Sequence, residues 1–217
     1  LGERDIPADA YFGVHTLRAV ENFPITGTKL SACPDLIVAL ACVKQAAAVA
    51  NHELQLLDRE RMNAIVYACE ELREGRLHDQ FVVDVIQGGA GTSTNMNANE
   101  VIANCGLEFL EQPKGAYAHL HPIEHVNLSQ STNDVYPTAV KLAAHFGIRR
   151  LLKSMAYLRA AFEAKAAEFA DILKMGRTQL QDAVPMTLGQ EFSTYAVMLF
   201  EDEARLEEAL KLIDEIN

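Results

Sequence analysis

A mainly α fold is predicted for this chain of 217 residues, and three observations carry the prediction. Apolar residues recur at helical spacing over two long stretches near the C-terminus, Ile148 to Leu173 and Leu188 onward. Proline, glycine and capping residues punctuate the rest of the chain at helix-length intervals. A single short run, Gln80 to Gln87, has the apolar density of a strand, through Phe81, Val82, Val83, Val85 and Ile86.

Taken in order, residues 1–30 read as an irregular opening rich in turn formers (Pro7, Gly13, Pro24, Gly27). A helix is predicted over 34–56, with Pro34 in its first turn, and another over 58–74, stopping before Gly75. The strand-like run 80–87 follows. Gly88, Gly89 and Gly91 then lead into a helix over 94–111, and 112–130 reads as a loop. Residues 133–146 read as helix, with Pro137 in a first turn, where a missing N–H costs little. A long helix over 148–174, a loop over 174–186 and a second long helix from 188 close the chain. Thr187 and Gln190 fit a capping box for that last helix. Consecutive long amphipathic helices predict the start of a bundle. The expected division is therefore an N-terminal mostly helical domain, 1–130, and the beginning of a helix-bundle domain, 131–217. The chain opens without Met and stops inside a charged helical pattern, so a portion of a longer polypeptide is expected.

The formal net charge of −11 argues against a nucleic-acid partner or an anionic membrane surface, both of which need clustered Lys and Arg. It leaves room for a small anionic substrate held by amides and hydroxyls. Cys33, Cys42, Cys69 and Cys105 are widely spaced with no C-x-x-C pair, as expected of reduced thiols in the cytoplasm. No unbroken run of about 18 apolar residues, the length of a membrane span, is read in the sequence.

Three polar segments could carry chemistry. In GGAGTSTNMNANE (Gly88–Glu100), glycines lead into a helix start, where free N–H groups and the helix dipole favour an anion, and Thr92 and Ser93 add hydroxyls. Thr94 stands where a dinucleotide fingerprint needs glycine. The asparagines Asn95, Asn97, Asn99 and Asn104 are poor helix formers and point to a buried amide network, or else to scattered surface amides. In HVNLSQSTNDVYPTA (His125–Ala139), Ser131, Thr132, Asn133 and Asp134 crowd a second helix start, where one cap suffices and the rest are redundant or free for a ligand. In GRTQLQDAVPMTLGQE (Gly176–Glu191), Arg177 is placed to grip a carboxylate or, preferably, to pair with Asp182. His119, His121 and His125 lack a metal-binding spacing on a clear helix.

Together with the opening DIPADAYFGVHTLRAVENFPITG (Asp5–Gly27), these segments resemble the aspartase/fumarase superfamily over nearly the whole chain. Within it, GAGTS (Gly89–Ser93), QSTNDVYPT (Gln130–Thr138) and DILKMGRTQLQDAVPMTLGQEF (Asp171–Phe192) are similar to aspartases. Fumarases usually read GSGTQ, QSSND and a histidine after GRT, where this chain has Gln179. The resemblance implies a fold made of the family's N-terminal helical domain and the first long helices of its central bundle. It implies reversible deamination of L-aspartate to fumarate and ammonia, with malate hydration as the fumarase-type alternative and a non-catalytic helical interaction module as the other. It implies substrate binding by Thr92, Ser131, Thr132, Asn133, Thr178 and Gln179, the last able only to hydrogen-bond. It implies a homotetramer in the cytoplasm, no metal or redox cofactor for the chemical step, and scope for activation by a divalent cation. The family's base is a serine on a downstream loop reading roughly G-S-S-x-M-P-x-K-x-N. These 217 residues contain no Ser-Ser pair, so this chain alone is expected to be inactive.

Overall fold

A computed structural model of the chain describes residues 4–86 and 90–216, and most of them are helical. The described residues divide into two compact units, one drawn from 4–144 with Ile216 and the other from 145–215.

In the first unit, α1 (Val14–Asn22), α2 (Pro34–Glu53) and α3 (Arg59–Arg73) pack with α4 (Thr92–Phe109). Local chemistry sets several of their starts. Pro34 opens α2, and Asp58 caps α3 by accepting from the Arg61 N–H at 2.9 Å. α2 is long and apolar enough, by length and composition, to cross a membrane. Here it is a core helix, with Ile37, Leu40 and Ala41 buried against its neighbours. Ile65, Leu72, Phe81, Ile102, Leu107 and Leu120 complete the core. α4 is buried on nearly all sides from Ser93 to Leu107.

Two expectations for this unit need correction. The opening contains α1, which carries no side-chain cap of its own; a carboxylate from α4 serves it, as described below. The run 80–86 is not a strand, and Gln87 lies outside the described residues. Phe81 and Val83 are buried as apolar residues should be. Their carbonyls accept from the Ser31 and Leu30 N–H groups beside an isolated Lys29–Asp84 bridge, and side chains supply further partners. Asn97 Oδ1 accepts from the Val82 N–H at 3.0 Å, and Asn97 Nδ2 donates to Gln80 O at 3.0 Å. Asp84 then takes the N–H groups of Thr26, Gly27 and Ile86 and the Thr26 hydroxyl. Burial pushes the Asp84 carboxyl up, but these donors outweigh it and hold the pKa at about 2.

α5 (Thr132–Glu168) corrects a third expectation: it is one continuous helix where the sequence reads as two. Gly147 costs a helix interior about 1 kcal/mol, too little to break a segment with strong helix formers on both sides. Because α5 begins at Thr132, Pro137 falls beyond the first turn and forgoes one backbone bond.

In the second unit the later part of α5 runs antiparallel to α6 (Leu188–Ile213). Arg159 pairs with Glu203 at 3.1 Å and Arg149 with Glu207 at 3.4 Å. Near the joined ends, Phe162 and Phe169 meet Phe192 at 5.8 and 5.3 Å between ring centres. The capping box is formed, with Thr187 Oγ1 accepting from Gln190 N at 3.1 Å and Gln190 Oε1 from Thr187 N at 2.9 Å. Between the helices, residues expected to be loop form a hairpin of β1 (Leu173–Thr178) and β2 (Gln181–Thr187). It is a mostly exposed ribbon that mixes apolar and polar residues, so no buried face sets an alternation that would announce it.

Gly189 packs tightly against the end of α5 and the residues just after it. A Cβ there would lie 2.5 Å from Ala166 O and 2.8 Å from Ala170 Cα, both backbone atoms. Gly189→Ala is therefore expected to lose about 1–3 kcal/mol through overpacking, read as a lower urea midpoint by circular dichroism. An unchanged midpoint would mean that the helices separate freely at this point.

Candidate functional site

The site is built on the starts of α4 and α5. α4 begins at Gly91, whose φ of +82° suits glycine. A Cβ on Gly91 would land inside the Tyr136 ring of α5, so the two helix starts lie against each other. One turn into α4, Asn95 Nδ2 donates to Thr132 Oγ1 at 3.1 Å and to Asn127 Oδ1 at 3.0 Å. The structure thus brings Thr92 of one predicted cluster beside Ser131, Thr132 and Asn133 of the other. Gly88 and Gly89 of the first motif lie outside the described residues.

The α4 start has no side-chain cap and no acidic residue in its first turn. The dipole of such a start favours an anion, and Thr92 is exposed there. At α5, Ser131 is the cap: its Oγ accepts from the Asn133 N–H at 3.2 Å. Thr132 accepts from Asn95, and among the described residues none accepts from its hydroxyl. A hydroxyl that spends a lone pair inward keeps its hydrogen for a ligand.

The amide network expected from the α4 asparagines is present, with Asn95, Asn97, Asn99 and Asn104 all buried. Asn104 ties Tyr11 O at 2.7 Å and the Gly115 N–H at 2.8 Å. Asn95 and Asn99 converge on Asn127 Oδ1, as does Lys44 Nζ at 2.8 Å. Lys44 is 0% exposed, and burial lowers its pKa to about 7. The sequence reading passed over Lys44 and Asn127; a single lysine among the apolar residues of ALACVKQAAA was the available signal.

Glu100, on the same helix, was also missed. It is 1% exposed. Its carboxylate accepts from the N–H groups of Gly13, His15 and Thr16 at 2.7, 2.9 and 3.0 Å and from the Thr16 hydroxyl at 2.6 Å. These are the donors at the start of α1, so α4 caps α1 across the core. Burial pushes the Glu100 carboxyl up, but the bonds from His15 and Thr16 hold it below the ordinary glutamate value. Gly13 leaves the room required, since a Cβ there would meet Glu100 Cδ at 2.7 Å.

Thr178 and Gln179 belong to the second unit. They sit exposed at the hairpin tip, where Gln179 and Leu180 both take positive φ, 48° and 63°. Such a pair favours Asn-Gly; residues with side chains pay strain there. Arg177 Nε meets Asp182 Oδ1 at 3.1 Å, the expected ion pair, with both side chains exposed. Two histidines of 119–125, His121 and His125, serve the backbone. His121 Nδ1 accepts from Ile123 N and Glu124 N at the start of the π-turn Pro122–Val126, and His125 Nδ1 accepts from His121 N at 2.8 Å. A cavity of about 440 Å³ under the opening segment, lined by Phe12, Asn104, Lys114 and Tyr117 among others, lies toward the other end of α4. It lacks the donor cluster found at the helix starts.

A family model described as "Lyase" matches residues 2–216. The chain belongs to the lyase family. Its members here form the aspartase/fumarase superfamily, of which it is an N-terminal portion. It is 54% identical to aspartate ammonia-lyase of Escherichia coli strain K12 over 100% of this chain and 46% of the relative. It thus spans about half the length of the curated relatives it matches. Among solved structures, fumarate lyase:delta crystallin from Brucella melitensis in native form superposes with a TM-score of 0.97 at 59% identity, covering 100% of this chain and 50% of that one. Recombinant class II fumarase from Schistosoma mansoni superposes with a TM-score of 0.91 at 34% identity, covering 99% and 45%. The mainly α fold agrees with these neighbours.

Proposed function

We propose that the enzyme to which this lyase chain belongs converts L-aspartate reversibly to fumarate and ammonia, and that this chain supplies part of the dicarboxylate-binding surface. The observation that carries the reading is the pairing of the α4 and α5 starts, where the Thr132 hydroxyl accepts from Asn95 and keeps its hydrogen for a ligand. Removing a proton beside a carboxylate builds a dianionic aci-form. Fixed N–H and O–H donors aimed at that charge lower its energy without reorganising, each worth about 3–4 kcal/mol. Thr92, Ser131, Thr132 and Asn133 have that chemistry at one place. Thr178 and Gln179 are proposed as further substrate contacts from the hairpin tip. Identity to aspartate ammonia-lyase, at 54%, exceeds identity to the class II fumarase, at 34%, and favours ammonia over water as the leaving group.

The chemical step in this reading needs no metal or redox cofactor, with activation by a divalent cation as a separate effect. The working form is proposed to be a homotetramer in the cytoplasm, in keeping with four free cysteines. The serine base is proposed to lie outside these 217 residues. Ammonia release is the deciding assay. The complete gene product should release ammonia from L-aspartate and leave malate untouched, while the 217 residues alone stay at background. Malate dehydration without ammonia release would transfer the assignment to a hydratase, and activity in neither assay would favour a non-catalytic helical module.

A further inference from the structure

Lys44 has an unusual setting. Its ammonium is fully buried, and among the described residues no carboxylate pairs with it. Leaving a charge uncompensated in the interior costs several kcal/mol. A methionine would fill the same space without that cost, so packing does not account for a lysine here. Three donors crowd one acceptor: Lys44 Nζ, Asn95 Nδ2 and Asn99 Nδ2 lie 2.8, 3.0 and 3.2 Å from Asn127 Oδ1. Meanwhile the buried oxygens Asn95 Oδ1 and Asn99 Oδ1 accept nothing among the described residues. Swapping either amide would turn an oxygen toward Asn127 Oδ1, which has no hydrogen to give. The cluster is therefore held in one orientation, in which Asn95 donates to Thr132 Oγ1.

We propose that Lys44 is a positioning residue for dicarboxylate binding: its buried ammonium, through Asn127 and Asn95, keeps the Thr132 hydroxyl turned outward and supplies positive charge that a bound dianion offsets. The inference deepens the dicarboxylate reading above and rests on it. Three short links join the ammonium to the hydroxyl, and none of the groups between them carries a compensating negative charge. Charge in a dry interior acts over such distances with little screening. The dianion completes a pairing that the folded protein leaves open. The titratable neighbour acting on Lys44 is Cys69 of α3, and burial pushes that thiol far up, so it stays neutral. The groups facing Lys44 from α4 and from the turn before α5 are amides.

Proton linkage follows from the same arrangement. Burial holds Lys44 near pH 7 in the free protein, and a dianion nearby favours the charged form. Binding should therefore draw a proton above that pH, and dicarboxylate affinity should weaken as pH rises from 7 to 9.

The test uses the complete enzyme and isothermal titration with succinate, a dicarboxylate that cannot eliminate ammonia. Lys44→Met should fold with an unchanged or higher urea midpoint, bind succinate about tenfold more weakly, and lose the weakening between pH 7 and 9. For L-aspartate its KM should rise by a larger factor than its kcat falls. Lys44→Arg, which keeps the charge, should recover part of the affinity. Unchanged succinate affinity and an unchanged pH profile in Lys44→Met, with wild-type binding intact, would overturn this inference alone. Wild type that binds no dicarboxylate would overturn both this inference and the functional reading. Should Lys44→Met fail to fold, the Lys44→Gln variant decides: it keeps an N–H donor for Asn127 Oδ1 but no charge, so it should show the same weaker succinate binding and lost pH dependence, and an unchanged affinity and pH profile would overturn the inference.

Discussion

Thr132→Val in the complete enzyme is expected to lower kcat for ammonia release from L-aspartate by about 10²–10³-fold, the usual loss when one donor to a developing oxyanion is removed. Valine keeps the shape of threonine and the start of α5. It removes the hydroxyl hydrogen that no described residue takes up, and it removes an acceptor for Asn95 Nδ2, which retains Asn127 Oδ1 at 3.0 Å. The accompanying stability loss should therefore be small, about 1 kcal/mol. Ser131→Ala is the informative companion. Ser131 already spends its oxygen on the Asn133 N–H, so its removal also costs a cap, about 1 kcal/mol. Steady-state kinetics with a urea midpoint on each variant separates the two effects. A Thr132→Val enzyme with wild-type kcat would remove Thr132 from the reaction.

Glu100→Ala is expected to cost about 3–5 kcal/mol, the largest stability loss among the changes considered. The substitution leaves the N–H groups of Gly13, His15 and Thr16 without their acceptor. Alanine offers none, and the site is closed to solvent. Glu100→Gln keeps the shape but directs an NH2 group at donors, so it should recover only part of the loss. The pH dependence has a definite sign. The Glu100 carboxyl lies below its ordinary value of 4.5 in the folded chain. Its contribution is fully present above that value and fades as pH falls through the folded pKa. Wild type should therefore lose urea resistance on acidification below about pH 4.5 more steeply than Glu100→Gln. Parallel acid profiles would show that the carboxylate's charge is not what holds α1.

Much of the helix layout was legible in the chain. Pro34 and Thr187 mark helix starts through chemistry that acts within one turn, and the structure follows them. The dense asparagines of α4 announced a buried amide network because such poor helix formers persist in a buried helix when their amides are used. The errors have a shared cause. α1 depends on a carboxylate 84 or more residues away. The run at 80–86 has strand-like side chains, but its backbone makes only an isolated bridge to residues 28–31 and is otherwise served by Asn97 and Asp84. The hairpin of 173–187 is mostly exposed, apolar residues such as Leu173 and Val184 included, and has no buried face to set a period.

The sequence by itself determined the helical class, most helix starts and the two polar clusters at 92 and 131, because capping, dipoles and apolar periodicity are local. It also carried the family membership, which rests on long ordered matches. Only the tertiary structure decided that the two clusters adjoin, that Glu100 caps α1 and that Lys44 stands behind Thr132. Each of these depends on which distant side chain fills a buried donor or acceptor. Burial makes that pairing obligatory, but its partner is set by the packing of helices and not by spacing along the chain.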